Sequence, residues 1–124
     1  MSEWSHLANA KHIDRIIAHV KANPAAWNAA SPSAAWAAVW DAAWNAAWTA
    51  DWDAAWYAAW GAAWDAAEGE KAEGAILALV AWDRAGGLMD LPAEQVKVLS
   101  LLGDRAAILM YPAIAVMETT QELV

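Results

Sequence analysis

Eight tryptophans recur at every fourth position in the middle of this chain, and most of the residues between them are alanines. The members of this tryptophan row are Trp36, Trp40, Trp44, Trp48, Trp52, Trp56, Trp60 and Trp64. Alanine is the strongest helix former, and Gly61 is the strongest helix-weakening residue within the repeat. Ser31 and Pro32 suit a helix start, because serine caps the first turn and proline fits its first position. The spacing therefore predicts one long central helix over residues 31–69, which ends at Gly69 or, as the alternative, continues towards Gly74.

The length of this predicted helix limits how the chain can fold. A helix from Pro32 to Glu68 would be about 55 Å long, whereas a compact chain of 124 residues has a diameter of about 35 Å. The helix must therefore bend, protrude or be covered by another chain. Because four residues exceed one helical turn, the tryptophan row advances by about 40° per step and winds around the helix.

The indoles of the row are too large to leave in water together. Each tryptophan buries about 150–250 Å² when packed, and a soluble monomer exposes an apolar patch of only about 300–600 Å². We therefore expect the row to be a packing ridge, covered by the rest of the chain or by a second copy in a homo-oligomer. Asp41, Asn45 and Asp53 follow tryptophans and are possible acceptors for indole N–H groups. The alternative, that these three polar residues form a solvated face, stays open.

Composition narrows the classes of partner. The net charge is −8, and no lysine or arginine occurs between Lys21 and Lys71, which argues against a nucleic-acid-binding surface. The chain has no cysteine, which excludes disulfides and thiolate metal sites. Its first residues lack the apolar run of a signal peptide, and the aspartates of the repeat would be costly in a bilayer. We expect neither a nucleic acid nor a membrane as partner.

The flanking segments predict shorter helices. Before the repeat, Ile13, Ile16, Ile17 and Val20 have the i, i+3, i+4, i+7 spacing of an amphipathic helix. This helix should end at Asn23–Pro24, before a short helical turn that carries Trp27. After the repeat, residues 75–85 are apolar on nearly every side, which predicts a buried helix that Gly86 and Gly87 end.

Two further helices are predicted near the end of the sequence. Asp90 and Pro92 should open a helix that Gly103 closes. Its inward side chains should be Val96, Leu99 and Leu102. The last helix should begin near Asp104, and Pro112 should kink it or mark a restart. No segment alternates with a period of two residues, so we expect no strand.

Residues that carry chemistry are few and scattered. His12 and His19 are seven residues apart, too distant to ligate one zinc ion, and we interpret both, with His6, as exposed histidines. Asp83 and Arg84 follow an apolar segment, and we expect a structural ion pair with Arg105 or Asp104 rather than catalysis. The sequence has no glycine-rich phosphate loop, nucleophile elbow or metal-ligand cluster. We therefore predict no enzyme activity and no cofactor.

The repeat and the segment after it resemble a loose family of small Ala/Trp-rich proteins encoded mainly by phages and prophages. Members carry repeats of the AAWDAAWDAAR kind, then an ALIAYDD-like helix and a closing segment rich in leucine, proline and alanine. The match covers about residues 30–118, and its more specific parts are ALVAWD at 78–83 and LGDRAAIL at 102–109. Arg84 and Arg105 depart from the pattern, as do tryptophans where arginine often alternates. The resemblance implies a phage origin and no particular activity.

Together these observations predict an all-α protein with one domain over residues 1–124. The N-terminal helix and turn occupy residues 1–30, the repeat helix residues 31–69, and the C-terminal helices residues 70–124. We expect a non-catalytic, phage-type interaction or assembly protein that self-associates or binds a host or virion protein through its Trp-rich helix. It would act in the cytoplasm of an infected host cell or in the virion. Two alternatives stay open: a module that holds an apolar or aromatic ligand in a Trp-lined groove, and an acidic inhibitor that mimics nucleic acid.

Overall fold

The computed structural model describes residues 4–30, 41, 45, 54–66 and 72–122. These residues form six α-helices and one 3-10 helix, and none of them lies in a β-strand, so the predicted all-α class is confirmed for this part of the chain. The helices are α1 (Ala10–Ala22), α2 (Pro24–Ala30), α3 (Ala54–Ala66), α4 (Glu73–Ala81), the 3-10 helix (Asp83–Asp90), α5 (Ala93–Leu101) and α6 (Arg105–Glu122).

The N-terminal helices follow the sequence pattern closely. Ile13, Ile16, Ile17 and Val20 are all buried, as the spacing along α1 predicts. The helix ends at Asn23, whose side-chain amide donates to the carbonyl of His19 at 3.1 Å. Pro24 then begins α2, which carries the fully buried Trp27. Proline fits there because the first helical position needs no backbone N–H donor.

Helix α4 lies at the centre of the described fold. Its residues Ala75–Val80 are almost fully buried, because α1, α3, α6 and the 3-10 helix all pack against it. A helix that is apolar on every side is stable only when other elements surround it. The sequence prediction of a buried helix is confirmed, but its predicted end is wrong.

Helix α4 ends at Ala81, before the extended backbone of Trp82 (φ −134°, ψ 122°), and not at Gly86–Gly87. Both glycines lie inside the 3-10 helix that follows. The physical reason is a distant side chain: the Asn9 amide donates to the carbonyls of Leu79 and Trp82, both at 3.0 Å. These bonds satisfy carbonyls at the helix end, so the α-helix need not continue.

The C-terminal pair, α5 and α6, packs face to face. Gly103, with φ 91°, makes the turn between them, as predicted, since a left-handed backbone favours glycine. Asp104 caps α6: its carboxylate accepts the N–H of Ala107 at 3.2 Å. Helix α6 runs through the buried Pro112 as a single element, so the alternative of a restart there is wrong.

Candidate functional site

Most of the predicted tryptophan row falls outside the described residues: Trp36, Trp40, Trp44, Trp48 and Trp52. Trp56, Trp60 and Trp64 lie on α3, and the structure describes only the side chain of Trp60, which is half-buried. The prediction that the whole row forms one packing ridge therefore stays a prediction.

In its described part, the repeat helix packs through alanine. Ala59 and Ala63 are completely buried, and α3 packs against α4 and α1. The two alanines are four residues apart, so they lie about 40° from each other on the helix surface, whereas Trp60 lies about 100° from Ala59. Small side chains let neighbouring helix backbones approach closely. The intramolecular contact thus centres on the alanine row, and Trp60 lies at its edge.

The structure describes two of the three predicted indole acceptors. Asp41 and Asn45 are helical and exposed, whereas Asp53 lies outside the described residues. Exposure of Asp41 and Asn45 agrees with the alternative interpretation, in which these residues belong to a solvated face. Hydrogen bonds from indoles to the three side chains remain a prediction.

An exposed apolar face on α5 was not predicted. Val98, Leu101 and Leu102 are 50%, 77% and 79% exposed. The prediction that Leu102 points inward with Val96 and Leu99 is wrong: Val96 is fully buried, Leu99 is half-buried and Leu102 is open to solvent. Residues 98, 101 and 102 have i, i+3, i+4 spacing and lie on one side of the helix. The sequence signal for this face is the Leu101–Leu102 pair directly before Gly103.

Charged residues flank these three apolar side chains. Glu94 is exposed in the first turn of α5, one turn before Val98. We define the α5 face as Glu94, Val98, Leu101 and Leu102. Lys97 is exposed beside it, and Arg105 is exposed at the start of α6. The face therefore has an acidic residue at its N-terminal end and an apolar centre.

The N-terminus of α5 is fixed by a side chain of α6. The Glu118 carboxylate accepts the backbone N–H of Ala93 at 2.7 Å. At the other end, Arg84 donates to both carboxylate oxygens of Asp104 at 3.0 Å, which confirms the predicted pairing of Arg84. This ion pair joins the exposed Arg84 of the 3-10 helix to Asp104, the residue before α6. Both contacts hold α5 in place without covering its outer face.

A histidine–tryptophan contact joins α1 to α2. The indole N–H of Trp27 donates to His19 Nδ1 at 2.9 Å, and the two rings meet edge to face with centroids 5.8 Å apart. His19 Nδ1 must be unprotonated to accept this bond. Burial, and secondarily the charge of Arg15, lowers the pKa of His19 below its usual 6.5, which favours the neutral imidazole.

His12 is also half-buried, so the prediction of exposed histidines holds only for His6. Burial lowers the pKa of His12, Lys11 and Arg15 lower it further, and Asp90 opposes the shift. The sequence pattern missed these environments because helical spacing does not show which turn a neighbouring element will cover.

A shallow cavity lies between α1, the 3-10 helix and α6. Its volume is about 60 Å³, and its lining consists of Arg15, Met89, Leu91, Ile114, Met117 and Glu118. Pockets for drug-sized ligands have volumes of about 300–1,000 Å³. This cavity is therefore much smaller than such pockets, and no tryptophan lines it.

Within residues 4–30, 41, 45, 54–66 and 72–122, no three His, Asp or Glu side chains are grouped so as to hold a metal ion. No described helix combines the length and apolar character needed to cross a membrane. Comparisons of the chain with known proteins found no matching family model, no similar curated protein and no similar solved structure.

Proposed function

We propose that this chain is a non-catalytic interaction or assembly protein of the phage type that its repeat resembles. It self-associates or binds a host protein through the Trp-rich helix. The observation that carries this proposal is the difference in burial between alanine and tryptophan side chains on α3. Ala59 and Ala63 make the buried contact within the chain, while Trp60, from the tryptophan row, is only half-buried.

In the described part of the repeat, the fully buried side chains are alanines, and Trp60 is only partly buried. Tryptophan is enriched at the energetic centres of protein interfaces, because it buries a large apolar area and carries a polar N–H. A surface that repeats this residue at every fourth position suits a helical partner that crosses or winds around it. A second copy of the same helix meets this requirement, and so does an apolar groove on a host protein.

The two alternatives receive less support. A ligand-binding module needs a tryptophan-lined cavity of adequate size, and the cavity between α1 and α6 is small and lined by other residues. A mimic of nucleic acid needs an ordered stripe of carboxylates. Of the acidic residues in the repeat, Asp41 and Asp65 are described and exposed, and no observation aligns them with others.

A pair of tryptophan variants tests the proposal. Trp60→Ala should weaken association, seen as a lower mass by light scattering at equal concentration, because it removes the part of the indole that its own chain leaves exposed. Trp82→Ala is the matched control, since Trp82 is also half-buried but lies outside the repeat. The control should lower stability and leave association unchanged. If Trp60→Ala keeps the wild-type mass at every concentration, binding through this part of the repeat is contradicted.

A further inference from the structure

We propose that the contact between His19 and Trp27 is a proton-sensitive switch, which keeps α2 docked when His19 is neutral and releases α2 when His19 is protonated. This inference concerns the two N-terminal helices and does not rest on the function proposed above. It begins from the direction of one hydrogen bond. The indole N–H of Trp27 is the donor and His19 Nδ1 is the acceptor, and the two atoms are 2.9 Å apart.

Helix α2 is held to the rest of the chain mainly through Trp27. This side chain is completely buried, whereas residues 24–26 and 28–29 of the same helix are exposed or half-buried. Helix α2 packs against α1 and α6, but it has only seven residues. A helix this short has little stability of its own in water. A change that displaces the Trp27 indole should therefore release α2 as a unit.

Protonation of His19 reverses the polarity of this contact. A neutral imidazole accepts a hydrogen bond at one ring nitrogen, whereas an imidazolium carries a proton on both nitrogens and only donates. The Nδ1–H of the charged ring would point at the indole N–H, so two donors would face each other. The rings must then separate, which removes both the hydrogen bond and the edge-to-face contact that hold the indole in its site.

The surroundings of His19 set the direction of the switch. Its ring is half-buried, so solvent can deliver the proton, and burial followed by the charge of Arg15 lowers the pKa of His19 below 6.5. Of the helices that pack against α1, α2 has no titratable residue, α3 carries Tyr57 and Asp65, and α4 carries Glu73. Among the described residues, Arg15 is the one charged group that shifts the pKa of His19.

Acid therefore favours the released state. In the docked state His19 resists protonation, whereas in the released state it binds a proton with its ordinary pKa of 6.5. Docking is fully favoured above this value and is lost as the pH falls through the lower pKa of the docked state. Helix α2 also connects α1 to the tryptophan repeat, whose first member is Trp36. A change in the position of α2 is thus passed along the chain to the start of the repeat.

Nuclear magnetic resonance of the wild-type protein provides the first test. At neutral pH, the nitrogen chemical shifts of His19 should be those of a ring whose Nδ1 carries no proton. The ring should titrate below 6.5, and the indole N–H signal of Trp27 should change with the same midpoint. A proton on Nδ1 at neutral pH, or a Trp27 signal that does not follow the titration of His19, overturns the proposal.

Hydrogen exchange measures the docking equilibrium itself. After correction for the intrinsic exchange rate, protection of the backbone and indole N–H groups of Trp27 should fall by about tenfold per pH unit between 6.5 and the lower pKa of docked His19. Protection in α4, where residues 75–80 are almost fully buried, should stay constant over the same range. An equal fall in α2 and α4 would show that the whole chain unfolds in acid, which overturns a local switch.

Replacement of single histidines assigns the effect to one ring. His19→Asn places an amide oxygen near the position of Nδ1 and removes the titrating group, so protection of α2 should no longer depend on pH. The matched control is His6→Asn, at an exposed position before α1, which should behave as wild type. His12→Asn removes the other half-buried histidine and should also leave the fall in place.

Two outcomes of this series contradict the switch. A fall in His19→Asn equal to that of the wild type overturns the proposal, and so does a constant protection in His12→Asn. Should His19→Asn fail to fold, the resonance and exchange measurements on the wild-type protein decide the question.

Discussion

Helices α1 and α5 begin from the same kind of sequence pattern and reach opposite outcomes. Both carry apolar residues at i, i+3, i+4 spacing, but the four aliphatic residues of the α1 stripe are all buried, whereas Val98, Leu101 and Leu102 of α5 are exposed. Helix α5 carries apolar side chains on two sides, and α6 covers only the side that contains Ala93 and Val96. Spacing therefore shows that a helix is amphipathic, but not which apolar side its own chain covers.

The side-chain hydrogen bonds at the N-terminal ends of α1 and α5 differ in burial as well. Asn9, directly before α1, is buried and donates to two carbonyls at the end of α4. Gly86 permits this approach, since a Cβ there would overlap Asn9 Oδ1 and lie 2.8 Å from His12 Cδ2. Helix α5 is held at its N-terminus by Glu118, in a partly buried contact. The first helix is thus built into the core, and the second presents one side to solvent.

The largest expected effect comes from a comparison of two aliphatic residues, Ile16 in the stripe of α1 and Leu101 in the exposed stripe of α5. Ile16→Ala should lower the free energy of unfolding by about 2–5 kcal/mol, because it empties a fully buried site. Leu101→Ala, measured at a concentration where the protein is monomeric, should change it by no more than about 0.5 kcal/mol. Urea denaturation measures both. Equal losses for the two variants would show that the stripes are equally buried.

Gly86→Ala should have the next largest effect. It should lower the free energy of unfolding by about 1–3 kcal/mol, because the new methyl group meets Asn9 in a closely packed contact. Gly87→Ala is the matched control: it lies in the same 3-10 helix, and a Cβ there has no neighbour within 4 Å. The control should be neutral or slightly stabilising. Equal midpoints for the two variants would contradict the close approach of Asn9 to Gly86.

Glu118→Ala should have a smaller effect. It should lower the free energy of unfolding by about 0.5–2 kcal/mol, since it removes the acceptor for the Ala93 N–H at the start of α5. Thermal unfolding measures the loss, and hydrogen exchange locates it. We expect faster exchange in the first turn of α5 and unchanged exchange in α1. Faster exchange spread evenly over both helices would contradict a local anchoring role.

The smallest expected effect is the pH dependence from the two half-buried histidines of α1, His12 and His19. The folded-state pKa values of His19 and His12 lie below 6.5, so the unfolded chain binds more protons as the pH falls through this range. Their contribution is fully present above the unfolded-state pKa of 6.5 and is lost as the pH falls through the lower folded-state pKa values. The melting temperature should therefore decrease over this interval. His12→Gln with His19→Gln should flatten the profile, and an unchanged slope would contradict the assignment.

The sequence predicted what local rules determine. The stripe of α1, the break at Asn23–Pro24, the turn at Gly103 and the ion pair of Arg84 all follow from spacing, backbone preference or charge. The end of α4 and the 3-10 helix did not, because Asn9 sets them from 70 residues away in the sequence. The exposure of Leu102 was missed because it depends on how far α6 covers α5. The alanine contact of α3 was missed because the tryptophans dominate its pattern.

We propose that this chain binds another copy of itself through apolar surface that its own fold leaves uncovered. The most direct test is the mass of the wild-type protein by light scattering over a dilution series, with tryptophan emission recorded on the same samples. We expect a mass above that of one chain that falls on dilution, with emission shifting to longer wavelength as indoles become exposed. The mass of a single chain at every concentration, with constant emission, would contradict it.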